Sequence, residues 1–129
     1  MKLQRTLTVT ALLAILLMTF HLTDDVLYHG GMPAMEFFAG VLILVIWLCG
    51  ATVLAGRRSG YVIVLLGSLI GLGIPIVHIA GAGGHINAGI EKSDDAYFFV
   101  WTLMTLGVTA LFSIVLSILG LWRGSLAER

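Results

Sequence analysis

The 129-residue sequence contains few charged residues and one cysteine. Charged residues make up 11% of the chain, whereas a soluble domain carries about 25%. With 59% hydrophobic residues and a mean hydropathy of +1.06, the chain cannot cover a soluble fold with polar side chains, and intrinsic disorder is excluded as well. The lone Cys49 excludes an internal disulfide and a cysteine-cluster metal site.

Motifs of known chemistry are also lacking. The sequence has no nucleophile elbow, no HExxH motif and no phosphate-binding loop leading from a strand into a helix, which gives catalysis little support. Metal-assisted hydrolysis near the outer leaflet is the one enzymatic alternative that stays open. Basic residues form no patch beyond short turns, which excludes nucleic-acid binding. An integral membrane protein is the class of protein that remains.

Four uncharged windows predict the architecture. They hold 18, 20, 32 and 27 residues, and each accommodates one spanning helix of roughly 20 residues. We place the spans at 6–22, 37–55, 61–80 and 97–122, in a single all-α domain covering residues 1–129. No small-residue cleavage site follows Leu22, so we expect the first helix to be retained. The sequence predicts an integral membrane antiparallel four-helix bundle with short loops.

Charge distribution predicts the orientation. Six of the seven basic residues fall on one side of the predicted bundle: Lys2, Arg5, Arg57, Arg58, Arg123 and Arg129. Six of the seven acidic residues fall on the other: Asp24, Asp25, Glu36, Glu91, Asp94 and Asp95. The positive-inside rule therefore places both termini in the cytoplasm of a plasma or inner membrane.

Small residues on the third and fourth helices predict close packing. Gly67 and Gly71 form a GxxxG motif, and a hydroxyl residue recurs every four positions at Thr105, Thr109, Ser113 and Ser117. We interpret these as seams for self-association or for contact with other membrane subunits. The alternative is a polar pathway through a small transporter or channel.

In length and number of spans the chain is similar to the small multidrug-resistance transporters. Those proteins carry a membrane-embedded glutamate in the first helix. The first helix here has no acidic residue between Arg5 and Asp24, so the sequence departs from that family at its functional residue.

All four histidines fall at or beyond the outer ends of the first and third helices. His21, Asp25 and His29 follow i, i+4, i+8 spacing, which places them on one helix face, while Asp24 points about 100° away. His78 reaches a similar depth on the third helix, and His85 lies seven residues beyond it. The spacing predicts that His21, Asp25 and His78 converge, with His29 and His85 within reach.

Three interpretations of this cluster stay open. The side chains can simply pair with one another or with lipid headgroups. They can bind a divalent transition metal through His21, Asp25 or Asp24, His29, His78 and His85. The affinity of the site for the metal would then fall as the pH drops through about 6.5. They can also hold a b-type haem between His21 and His78. At class level, we expect a non-enzymatic accessory or self-associating membrane subunit with an outward-facing His/Asp cluster.

Overall fold

A computed structural model describes residues 2–28, 33–79 and 96–127. The four helices within these residues are α1 (Lys2–Tyr28), α2 (Ala34–Ala51), α3 (Arg58–Ile79) and α4 (Ala96–Ala127). All four are long and apolar enough to cross a membrane. The all-helical class and the number of candidate spans are thereby confirmed.

The second helix begins and ends earlier than its predicted span of 37–55. It begins directly after Pro33, whose carbonyl accepts hydrogen bonds from the amides of Glu36 and Phe37, and it ends at Ala51. Residues 52–57 then form a turn into α3, in which Gly56 has a φ of 81°. Such a backbone conformation favours glycine. The turn therefore replaces the last four residues of the span predicted at 37–55.

Glycines on α3 bring Trp47 of α2 into the core. A Cβ added at Gly67 would lie 2.5 Å from the indole ring, and one at Gly71 would lie 3.0 Å from it. Trp47 is buried together with Leu106 of α4. The close packing predicted at the GxxxG motif therefore occurs within the chain, against the Trp47 side chain of α2.

The hydroxyl seam of α4 also faces the interior. Thr109, Ser113 and Ser117 are buried, and Thr105 is half-buried. The Thr109 hydroxyl donates to the Thr105 carbonyl at 2.8 Å, and the Ser113 hydroxyl donates to Thr10 Oγ1 of α1 at 3.1 Å. These side chains and the two glycines make contacts inside one copy of the chain, which differs from the expectation that they meet other subunits.

Contacts near the helix ends show which ends of the four helices lie side by side. The Thr8 hydroxyl of α1 donates to the Ala51 carbonyl at the end of α2, and Gly120 of α4 abuts Tyr61 near the start of α3. At the opposite end, Phe20 of α1 contacts Phe98 in the first turn of α4, with ring centroids 6.3 Å apart. The last third of α1 and the last turn of α3, through His78, therefore lie beside the first turn of α4.

Candidate metal centre

His21 and Asp25 occupy successive turns near the end of α1. Their i, i+4 spacing stacks the side chains on one face, and Nε2 of His21 lies 3.3 Å from Oδ2 of Asp25. The imidazole is only 4% exposed, whereas the carboxylate is 24% exposed. A buried imidazole thus meets a carboxylate that stays accessible at the rim.

His78 brings the second imidazole from the end of α3. Its ring contacts the His21 ring edge to face, with centroids 5.0 Å apart and an interplanar angle of 85°. One donor atom from each of His21, Asp25 and His78 lies within 4.8 Å of the others. We call these three residues the His/Asp triad.

A backbone hydrogen bond orients His78. Its Nδ1 lies 2.9 Å from the carbonyl oxygen of Ile74, one turn earlier in α3. A carbonyl only accepts, so Nδ1 carries the hydrogen and donates it, which leaves the Nε2 lone pair of the neutral ring available to a ligand. Histidines that bind metals are commonly held by such a bond from the other ring nitrogen.

Phe99 of α4 contacts both imidazoles, and its place in the site was not predicted from the sequence. Its ring centroid lies 5.7 Å from that of His21 and 5.6 Å from that of His78. One aromatic ring therefore packs against both imidazoles. Apolar residues surround Phe99 in the sequence, so no pattern distinguished it.

Glu36 is the other residue that sequence reasoning missed. It lies in the first turn of α2 and lines a cavity of about 300 Å³ together with His21 and Asp25. A second acidic residue therefore borders the same cavity as His21 and Asp25, two members of the triad. Only the side-by-side placement of α1 and α2 reveals this relationship.

Of the remaining predicted site residues, the structure describes only Asp24. His29 and His85 lie outside the described residues. Asp24 is described and half-buried, but the three-residue group contains Asp25 instead, as expected from the 100° between successive residues.

The triad fits a metal ion better than a haem. Zinc bonds of about 2.0–2.2 Å place two ligand atoms of one ion no more than about 4.4 Å apart, so side-chain rotations that move donor atoms by about 1 Å would suffice. A haem would require its macrocycle to pass between two imidazoles that contact each other and Phe99. That geometry leaves no space for the porphyrin plane.

Comparison of the chain with protein-family models, with curated proteins and with solved structures finds no match. The functional assignment therefore depends on the chemistry of the site.

Proposed function

We propose that this chain is an integral membrane protein that binds a divalent transition metal through His21, Asp25 and His78. The observation that carries the proposal is the convergence of three donor atoms, from two helices, within 4.8 Å. Two imidazoles and one carboxylate suit zinc, and no thiolate is needed. Three protein ligands leave a fourth position for water or a substrate group.

The proposed membrane placement puts the metal at the outer interface of an antiparallel bundle. Exposed Trp101 and Trp122 of α4 are separated by about 32 Å of helix, close to the thickness of the hydrocarbon core. Tryptophans favour the two membrane interfaces. Phe99, which contacts both histidines, is two residues from Trp101, while Arg123 follows Trp122. Positive-inside sorting then places Arg123 in the cytoplasm and the triad on the outer side.

Zinc titration of the purified protein against a chromophoric chelator tests this function. We expect one zinc per chain for the wild type and loss of that site in His21→Ala and His78→Ala. The neighbouring acids provide a matched pair: Asp25→Asn removes a ligand and lowers the affinity more than about tenfold, whereas Asp24→Asn leaves it unchanged. Equal effects of the two asparagine variants, or a wild type without zinc, would refute the proposal.

Self-association is a second candidate function, favoured by the exposed face of α2. This helix packs on α1 and α3 and is the least buried of the four spans. Met35, Phe38, Leu42 and Val45 are exposed and follow the alternating three- and four-residue spacing of a helix-pairing seam, which Cys49 continues. We propose that two copies pair through this seam, either as a homodimer or within a larger membrane complex.

Cys49 provides the test of self-association because it is free and half-buried at the end of the seam. Pairing of parallel α2 helices predicts an oxidative crosslink between the Cys49 residues of two copies in membranes. Leu42→Ala should reduce the crosslink, whereas Leu69→Ala, at an exposed leucine of α3, should not. A single-chain mass in mild detergent together with no crosslink in membranes would argue against pairing.

A further inference from the structure

The cavity beside the triad lies between α1, α2 and α3 and has a volume of about 300 Å³. This volume is at the lower end of the range for small-molecule sites. Its surface is almost entirely apolar, although His21, Asp25 and Glu36 border it. The walls of the cavity therefore match an apolar guest. The apolar side chains come from all three helices: Met18, Leu22, Ile43, Leu44, Ile70 and Ile74.

The cavity extends away from the triad along the helices. Met18 is about one turn from His21 in α1, and Ile70 is about two turns from His78 in α3. On α2 the lining residues continue for about 12 Å beyond Glu36. The polar residues thus lie at one end of an elongated space, and the opposite end is bordered by apolar residues alone.

Two of the lining residues also lie at the surface of the bundle. Ile70 of α3 is 40% exposed, and Ala39 of α2 is exposed as well. All four helices are apolar enough to cross a membrane, so hydrocarbon chains surround this surface in a bilayer. An acyl chain can therefore reach the cavity from the side, without passing through the bundle.

Hydrocarbon fits this cavity better than water does. A buried water needs several polar partners, whereas these walls offer almost no polar surface. Cavities in a packed protein are costly because their walls lose dispersion contacts, and an apolar guest restores those contacts. Around a membrane-spanning bundle, the apolar groups that can supply such a guest are the acyl chains of lipids.

We propose that this cavity binds one acyl chain of a membrane lipid. The headgroup lies at the end bordered by His21, Asp25 and Glu36, and the end of the chain lies between Ile43 and Ile70. Only this orientation keeps the polar headgroup away from the wholly apolar end of the cavity. The proposal goes beyond metal binding and does not require it, because the side chains that contact the chain cannot bind a metal.

Photocrosslinking tests the proposal. The protein is placed in phosphatidylcholine nanodiscs with a metal chelator and a trace of phosphatidylcholine that carries a diazirine near the end of one acyl chain. We expect Ile43 and Ile70 to be labelled at least about threefold more than Val108, because a bound chain stays in contact with the cavity walls. Val108 of α4 is 55% exposed and lies at a similar depth, since Gly71 of α3 closely approaches Ala110. Cavity labelling that does not exceed the labelling of Val108 would overturn the proposal.

Two variant pairs locate the chain. Ile43→Trp fills the cavity from α2 and should reduce labelling of Met18 at least about threefold, whereas Ile46→Trp, at an exposed isoleucine of the same helix outside the cavity, should not. From α3, Ile70→Trp should have the same effect as Ile43→Trp, and Leu69→Trp should have none. Full labelling of Met18 in both filled variants, or equal losses in the two controls, would refute the site.

The outcome is separable from that of the metal titration. Preferential labelling of the cavity in a protein that fails to bind zinc would uphold this inference alone. Zinc binding without preferential labelling would refute it and leave the metal proposal intact.

Discussion

The imidazoles of His21 and His78 lie edge to face with their centroids 5.0 Å apart, although α1 and α3 are separated in sequence by the whole of α2. Each ring is fixed by its own helix: His21 lies next to Asp25, and His78 donates to the Ile74 carbonyl. The pair is therefore oriented before any ligand binds. Such preorganisation reduces the ordering cost of ligand binding.

Phe99 should influence zinc affinity without being a ligand. Its ring packs against both imidazoles, so Phe99→Ala removes a surface that both of them contact. We expect zinc to bind about tenfold more weakly to this variant with unchanged stoichiometry, as measured by chelator competition. Phe98→Ala is the matched control because Phe98 contacts Phe20 instead. Similar losses in both variants would indicate general destabilisation of α4.

Gly67 and Gly73 should respond oppositely to the same substitution. A methyl group at Gly67 would lie 2.5 Å from the Trp47 ring, whereas one at Gly73 would have no atom within 4 Å. Gly67→Ala should therefore lower the free energy of unfolding by about 1–3 kcal/mol through overpacking. Gly73→Ala should be neutral or slightly stabilising because alanine favours the helix. Unfolding of both variants in mixed micelles gives the comparison, and a stable Gly67→Ala protein would contradict the observed packing.

The spans were predictable because lipid imposes strong constraints on them. Charged residues delimit every apolar window, so counting uncharged residues located all four helices. The predicted end of α2 lies too late because Thr52, Val53 and Leu54 continue the uncharged window. Their turn is closed by local backbone hydrogen bonds and brings Gly60 against the Leu54 carbonyl. Hydropathy alone therefore could not locate this turn.

The depth of a residue along its helix was easier to predict than the residues of other helices that lie beside it. Counting residues from the start of each span brought His21 and His78 to one level, and i, i+4 spacing selected Asp25 over Asp24. Phe99 and Glu36 belong to other helices, and their positions depend on which faces meet. Small residues suit contacts within a chain or between chains equally well. The burial of Ser113 and Ser117 therefore had to come from the structure.

Cysteine labelling tests the proposed orientation. In a Cys49→Ala background, Gly31→Cys and Ala88→Cys should react with a membrane-impermeant maleimide added outside intact cells, because six of the seven basic residues fall on the opposite side of the bundle. Ser59→Cys, beside Arg57 and Arg58, should react only after the cells are permeabilised. The reverse pattern would place the triad on the cytoplasmic side.

X-ray absorption spectroscopy of the protein loaded with one equivalent of zinc tests the metal site most directly. We expect nitrogen and oxygen ligands at about 2.0–2.2 Å with outer-shell scattering from two imidazoles in the wild type, and only hydrated zinc without imidazole scattering in His78→Ala. No bound zinc or fewer than two imidazoles in the wild type, or the same imidazole count in both proteins, would contradict the assignment of His21, Asp25 and His78 as ligands.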